Sequence, residues 1–127
     1  FDVDVAATMA YYAGAVSGAR FCFCPACRNF CERLRRMSYT KQCFFKTLGV
    51  VPELAEKAWP CQPGDEDMTQ HYMCLYPIKA SVESYSDVPD FYETQFYAIE
   101  KDFRVGFYLK DGVPYLVVDW TLPWARP

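Results

Sequence analysis

A chain of 127 residues that is 52% hydrophobic and 18% aromatic is long enough and apolar enough to bury one core, which excludes an intrinsically disordered protein. Its net charge of −3 gives no electrostatic reason to expect a polyanionic partner. No apolar run approaches the roughly 18 residues that a membrane span requires, so we predict a single domain over residues 1–127 with no membrane association.

The chain contains seven cysteines, an odd number. A secreted framework of disulfides would leave one thiol unpaired, and this chain has enough core residues to fold without such cross-links. We therefore predict a reducing, cytoplasmic compartment, in which the cysteines are free thiols, metal ligands or a catalytic pair. The chain starts at Phe1, so the sequence leaves open whether an N-terminal segment was removed.

The N-terminal part is predicted to hold one strand and the start of a helix. Apolar and polar residues alternate over residues 1–11, which predicts a half-buried strand that ends before Gly14 and Gly18. Pro25 suits the first position of a helix, with Cys24 as its N-cap. The two elements are therefore expected to be joined by a loop that carries cysteines.

The first helix is expected to continue to Met37. Apolar residues three and four positions apart, Cys27, Phe30, Cys31 and Leu34, predict its buried stripe. Phe30 and Leu34 are expected to pack against a sheet. A second short helix, KQCFFKTL, follows between candidate N-caps and a glycine that would end it, namely Ser38, Thr40 and Gly49.

The C-terminal part is predicted to be β-structure. Two strands flank the acidic Pro-Gly turn at residues 63–67. The Asp-Gly pair at residues 111–112 predicts a hairpin before the final strand, PYLVVDWTL, and a helix over residues 90–101 is an alternative for the stretch before it. Residues 70–83 and 103–121 are expected in one sheet. The predicted fold class is α+β, a single mostly antiparallel sheet with two short helices packed on one face.

Four cysteines lie within ten residues, in the tract CFCPACRNFC. Thiolates two to four residues apart can converge on one tetrahedral cation, so a zinc site is one interpretation. The candidate ligands are Cys22, Cys24 and Cys27. Cys31, one helical turn further, is the first candidate for the fourth ligand, because the other cysteines and His71 would have to reach the site through the fold.

The same tract contains CPAC, the spacing of a thiol-disulfide oxidoreductase. A cysteine at a helix N-cap faces the positive end of the helix dipole and free backbone amides, which favour the thiolate. Cys24 is therefore predicted to be the most reactive thiol, and Cys27 could resolve a mixed disulfide. A thioredoxin-type fold, however, needs parallel β-α-β connections, and the predicted hairpins do not provide them.

The cysteines also have a plain structural interpretation. Cysteine is a favoured buried residue. Cys27 and Cys31 are predicted on the apolar stripe of the helix, and Cys74 is predicted on the apolar face of a strand. None of the three would then need a function.

Motifs spread over nearly the whole chain resemble those of a group of small uncharacterised bacterial proteins. In that group a Cys-x-Cys-x-x-Cys-Arg-Asn-Phe tract opens the helix, here FCFCPACRNF, and a Trp-x-Leu-Pro-Trp element closes the chain, here WTLPW. FFKTLGV and HYMCLYP are part of the same resemblance. It implies no activity, substrate or ligand. It implies a stand-alone bacterial cytoplasmic domain in which Cys22, Cys24 and Cys27 form a unit.

Two further patterns carry weaker signals. His71 is the only histidine and could act as the general base of a cysteine nucleophile, but nothing in the sequence places a cysteine beside it. An exposed or cross-strand histidine is expected instead. Basic residues outnumber acidic ones over residues 28–46, which is typical of a solvated helix face, so nucleic-acid binding is not expected.

The aromatic residues point to binding. Ten tyrosines and ten phenylalanines are more than one thin core commonly needs, and exposed tyrosine and tryptophan are enriched at interfaces. A dense aromatic core is the alternative, and both can hold in part. The aromatic strand residues are Tyr72, Tyr76, Tyr97, Phe103, Phe107 and Tyr108.

We therefore predict a binding domain without catalytic activity. Its partner would be another protein or a second copy of the chain, reached through the aromatic surface. A zinc-stabilised accessory domain is the first alternative, and a Cys-x-x-Cys thiol-disulfide oxidoreductase is the second.

Overall fold

The computed structural model describes residues 3–14, 25–63, 69–80 and 94–123, with the side chains of Cys27 and residues 60–63 outside the description. In these residues three α-helices and five strands form one sheet and a helical layer. The helices are α1 (Val5–Ala13), α2 (Pro25–Leu34) and α3 (Tyr39–Leu48), and a short 3-10 turn follows at Pro52–Leu54. The strands are β1 (Lys57–Pro63), β2 (Thr69–Pro77), β3 (Tyr97–Glu100), β4 (Phe103–Lys110) and β5 (Val113–Pro123).

The sheet has the strand order β1-β2-β5-β4-β3, and every pair in it is antiparallel. The predicted hairpin between β4 and β5 is confirmed, because Asp111 and Gly112 both adopt positive φ, 52° and 78°. This backbone twist matches the twist of the flanking strands. The helical alternative for residues 90–101 is wrong where the structure describes that stretch, since residues 97–100 are strand and residues 94–96 are not helical.

The predicted N-terminal strand is wrong, because residues 5–13 form α1. Only Val3 keeps strand-like pairing, in an isolated bridge to Ala80. Asp4 is the N-cap, and its carboxylate accepts a hydrogen bond from the amide of Ala7 at 3.0 Å. The segment is rich in alanine, a strong helix former, and this preference prevails over the period-2 pattern.

The two predicted helices are confirmed, with one change of boundary. Pro25 is the first residue of α2, which ends at Leu34 instead of Met37. Ser38 caps α3 by accepting from an amide of its first turn, and Gly49 ends α3 in the left-handed region with φ 79°. The predicted end of α3 at Gly49 is therefore confirmed, and of the two candidate N-caps, Ser38 and Thr40, the structure selects Ser38, so that the helix starts at Tyr39 and not at Lys41.

The main core lies between the helices and one face of the sheet. Trp120, which is almost fully buried, is its centre, and the rings of Phe30 and Phe45 lie 5.5 Å and 6.1 Å from it. Phe30 of α2 also packs against Tyr72 of β2, and Leu34 is buried, as expected. The α+β class and the one-sided placement of the helices are thus confirmed, with α1 as an additional helix.

The opposite face of the sheet carries a second, smaller apolar cluster, made of Leu75, Tyr108, Tyr115 and Val117. The segment 94–96 crosses this face beside Gly106. A Cβ atom at Gly106 would lie 2.6 Å from Thr94 Cγ2 and 2.9 Å from the carbonyl oxygen of Gln95. The glycine therefore permits the close approach of this segment to β4.

Among the described residues, no helix combines the length and the apolar character that crossing a bilayer would require.

Candidate functional site

The predicted zinc ligands fall mostly outside the described residues. Cys22 and Cys24 lie outside them, and so does the side chain of Cys27, whose backbone belongs to the first turn of α2.

Cys31 is described and is exposed, so its predicted place on the buried stripe is wrong. The buried side of α2 is set by Asn29 and Phe30 with Leu34, and Cys31 lies beyond its edge. No group of three metal-ligating side chains occurs within the described part of the chain.

Two other cysteines are placed by the structure. Cys74 is fully buried in the main core, which confirms its predicted place on the apolar face of β2. Cys43 is half-buried on α3, where a hydrogen bond between its side chain and Tyr39 raises the pKa of that tyrosine. Neither thiol therefore stands out as the fourth ligand of a site at the start of α2.

The backbone register places a further cysteine close to α2. Pro60 pairs with Tyr72 and Gln62 pairs with His71, so Cys61 is the extra residue of a bulge in β1. The hydroxyl of Tyr72 donates a hydrogen bond to the carbonyl oxygen of Ala26 at 2.5 Å. Tyr72, which lies opposite the bulge at Cys61, is therefore hydrogen-bonded to Ala26, the residue that precedes Cys27.

His71 belongs to a polar cluster on the sheet face opposite the helices. Its Nε2 contacts Asp119 Oδ1, and Arg104 donates to the other carboxylate oxygen, Oδ2, at 2.6 Å. The three side chains come from β2, β5 and β4, so the predicted cross-strand histidine is confirmed. The Asp119 side chain is only 8% exposed, and Arg104 compensates its charge while stacking on Phe96 at 5.4 Å.

This cluster has the composition of a structural ion pair. A buried carboxylate needs a cation and hydrogen bonds, and Asp119 receives both. The contact that His71 Nε2 makes in the described part of the chain is with this carboxylate. The cluster joins three strands, and we assign it to stability.

A group of tyrosines surrounds Glu56 at the start of β1. The hydroxyl of Tyr115 donates to Glu56 at 3.2 Å, and the ring of Tyr108 stacks on that of Tyr115 at 5.6 Å. Burial, and then the negative charge of Glu56, raise the pKa of Tyr11 and of Tyr108. Burial together with the hydrogen bond to Glu56 raises the pKa of Tyr115 further. Each of these shifts disfavours the phenolate, so the three tyrosines are neutral over the physiological range.

An apolar groove of 520 Å³ lies between α1 and α3. It forms because α1 crosses the end of α3, where Gly49 leaves room for the helix backbone. A Cβ atom at Gly49 would lie 2.7 Å from the carbonyl oxygen of Val5 and 2.9 Å from Met9 Cγ. The lining residues are Met9, Tyr12, Ala13, Lys46, Gly49, Val50 and Val51.

The rim of this groove exposes large apolar side chains. Met9 is 60% exposed, and Val5 and Val51 are exposed as well. Among the described lining residues Lys46 alone is charged, and its ammonium makes no ion pair with any residue of the described ranges. The sequence analysis missed this surface because it predicted a strand over residues 1–11. If the same residues are placed on a helix, apolar side chains lie on every side of it, and this pattern could have predicted that some of them are exposed.

The predicted aromatic surface is found only in part. Tyr97 on the edge strand β3 is 59% exposed. The other aromatic strand residues named above are buried or half-buried, with Phe103 and Tyr72 in the main core and Tyr108 in the second cluster. The dense aromatic core therefore accounts for most of them.

No protein-family model, curated protein or solved structure matches this chain. The resemblance of its cysteine tract and its Trp-x-Leu-Pro-Trp element to a bacterial group thus stays a prediction.

Proposed function

We propose that the protein is a binding domain without catalytic activity, and that it holds a segment of another protein in the groove between α1 and α3. One observation carries this proposal: a groove of 520 Å³ is lined almost entirely by apolar groups and has Met9, 60% exposed, at its rim. A concave apolar surface of this size suits one or two anchoring side chains of a partner.

The free energy of binding would come from apolar side chains of the groove that are in contact with water when no partner is bound. Met9 and Val51 are large apolar side chains whose burial is incomplete in the chain alone. Complete burial of an exposed side chain of this kind contributes roughly 1.5–3 kcal/mol, and Met9, which is 60% exposed, has more than half of that gain still available. Gly49 and the crossing of α1 make the groove a preformed feature, so a partner does not have to open it.

Selection of peptides tests the proposal while the partner is still unidentified. Random peptides displayed on phage would be selected on the immobilised full chain, and the affinity of synthetic versions would be measured by fluorescence polarisation. Met9→Glu places a charge on the groove and is expected to weaken binding by roughly tenfold or more, in line with the loss of one apolar anchor.

Val113→Glu is the matched control, because Val113 is also an exposed apolar residue, 41% exposed, but lies at the β4–β5 hairpin. It is expected to leave peptide affinity unchanged. Circular dichroism would show that both variants keep the fold. Peptides whose affinity is equal for the wild type and for Met9→Glu would contradict the proposal.

A zinc-stabilised accessory domain is the second candidate, and the register of β1 favours it. The bulge at Cys61 lies opposite Tyr72, whose hydroxyl binds the carbonyl of Ala26, the residue before Cys27. Cys22, Cys24 and Cys27 would be ligands, and Cys61 joins Cys31 as a candidate for the fourth. A closed site of four thiolates is the usual form of a structural zinc centre.

Elemental analysis of protein purified without chelators tests this candidate. About one zinc per chain is expected if the site exists, and Cys27→Ser would lose it. Cys43→Ser is the control, since Cys43 is half-buried on α3 and outside the proposed set. Cys31→Ser and Cys61→Ser separate the two choices of fourth ligand, and absence of metal from wild-type protein would rule the candidate out.

An oxidoreductase is not proposed. The thioredoxin-type fold requires parallel β-α-β connections, and all strand pairs of the described sheet are antiparallel.

A further inference from the structure

We infer that the groove between α1 and α3 selects a segment that carries a carboxylate beside its apolar anchor, so that the partner is a protein with an acidic, apolar docking segment. This inference rests on the proposed function and names the chemistry of its ligand. It starts from Lys46, the one charged residue among those that the structure describes in the groove lining.

The charge of Lys46 is available for a ligand. Lys41, the other lysine on the same helix, is nearly buried and is engaged by Glu100 at 2.9 Å and by Asp102 at 3.4 Å. Lys46 has no such partner among the described residues and is exposed. The two lysines of α3 therefore differ in kind, one neutralised by carboxylates of the fold and one free at the groove.

The helix end does not use the charge of Lys46 either. Basic side chains near a helix C-terminus often satisfy its last carbonyl groups. Here the amide of Gly49 donates to the carbonyl of Lys46 at 3.1 Å, and the amide of Val50 donates to the carbonyl of Phe45 at 3.0 Å. Backbone amides thus cap these carbonyls, and the ammonium remains free to bind an anionic group.

The charge of the whole chain makes this contact selective. A net charge of −3 disfavours the general approach of acidic segments, so a carboxylate gains from binding only beside a local cation. A neutral apolar segment would fill the groove without using Lys46. A basic segment would bring a like charge to it.

The experiment uses two synthetic peptides derived from the selected sequences: one with a glutamate next to its apolar anchor, and one with glutamine in its place. Lys46→Gln keeps most of the length of the side chain and removes the charge. We expect it to weaken binding of the glutamate peptide by roughly 1.5- to fivefold, the range of an exposed ion pair, and to leave the glutamine peptide unaffected. Lys110→Gln, an exposed lysine at the end of β4, is the control and is expected to change neither affinity.

The outcomes separate this inference from the proposed function. If Met9→Glu abolishes binding but Lys46→Gln leaves the glutamate peptide unchanged, the groove binds a partner and the acidic selectivity is wrong. If Met9→Glu has no effect, the proposed function fails and the inference fails with it. Sedimentation that shows a dimer dissociated by Met9→Glu would identify a second copy as the occupant and would overturn the inference. Weakening of the glutamate peptide alone, and only by Lys46→Gln, supports it.

Discussion

At the scale of single residues, Asp119 joins three strands through two neighbouring side chains. Its carboxylate is 8% exposed and contacts Arg104 on β4 and His71 on β2. The carboxylate is the buried member of the cluster, whereas the Arg104 side chain is 52% exposed, so removing Asp119 costs its hydrogen bonds and leaves the arginine solvated. The stability of the sheet face opposite the helices should therefore depend on this carboxylate.

We predict that Asp119→Ala lowers the free energy of unfolding by about 2 kcal/mol, since the hydrogen bonds of the carboxylate are lost while the half-exposed Arg104 stays solvated. His71→Gln is expected to cost less, about 1 kcal/mol, since Arg104 still compensates the carboxylate. Urea denaturation followed by circular dichroism measures both. Glu53→Ala, an exposed acidic residue, serves as the control; equal effects of the Asp119 and Glu53 substitutions would show that Asp119 has no structural role.

The cysteines differ in access, and this leads to a labelling order. Cys31 is exposed, Cys43 is half-buried and Cys74 is fully buried, so iodoacetamide should modify them in that order. Cys24, which lies outside the described residues, is still predicted to be the fastest because of its place before Pro25. Peptide mapping after limited labelling ranks the seven thiols.

Two results would contradict these expectations. Modification of Cys74 before Cys31 would show that the core opens more readily than the structure implies. Slow labelling of Cys24 that accelerates only after a chelator is added would point to bound metal instead of a free thiolate.

At the scale of elements, Lys41 attaches α3 to the β3–β4 hairpin. Its ammonium binds Glu100 at 2.9 Å and Asp102 at 3.4 Å, and the hydroxyl of Ser38, the N-cap, donates to Glu100 at 2.8 Å. The hydrogen bond from Lys41, and then that from Ser38, lower the pKa of Glu100 below its usual value of 4.5. The docking of the helix is therefore linked to pH.

The direction of this linkage is fixed by the lowered pKa. As the pH falls through 4.5, the carboxyl of Glu100 takes up a proton in the unfolded chain before it does so in the folded one, so stability present at neutral pH is lost. We predict that Glu100→Gln is about 1 kcal/mol less stable than the wild type at pH 7, and that this difference shrinks as the pH falls below 4.5.

Thermal or urea unfolding across this pH range measures the difference. Glu53→Gln is the matched control, since Glu53 is exposed and lies in the short turn after α3. A difference between the wild type and Glu100→Gln that stays constant over the pH range would contradict the linkage.

At the scale of the molecule, one continuous core connects the helices to the sheet. It includes Tyr12 of α1, Phe30 of α2 and Phe45 of α3, together with residues of β2, β4 and β5, and Ala58 of β1 packs against it. Since no helix has a separate core of its own within the described residues, we expect the helical layer and the sheet to unfold together.

This expectation predicts coincident transitions in urea. Fluorescence that reports on Trp120, which is 1% exposed, should follow the same curve as far-UV circular dichroism. Trp59→Phe removes the fluorescence of an exposed tryptophan, so that a larger share of the remaining signal comes from Trp120. Two separate transitions would show that the helices and the sheet are independent units.

The sequence by itself determined the features that depend on neighbouring residues. Ser38 and Gly49 bound α3, Pro25 starts α2, and the Asp-Gly pair at residues 111–112 makes the hairpin. Each of these signals works through the conformation or the hydrogen bonds of a few consecutive residues, so no distant partner is required. The alternation in the later strands predicted where the strands themselves lie, whereas their order in the sheet, β1-β2-β5-β4-β3, depends on contacts between distant segments.

The tertiary structure decided the features that depend on which segments meet. Residues 5–13 alternate like a strand but become α1, which packs across the end of α3 at Gly49. Cys31 is exposed because the sheet contacts α2 on the side of Phe30. The groove with Lys46 exists because α1 crosses the end of α3 at Gly49. Contacts of this kind follow from strand register and helix crossing, which join residues far apart in the chain and leave no local pattern to read.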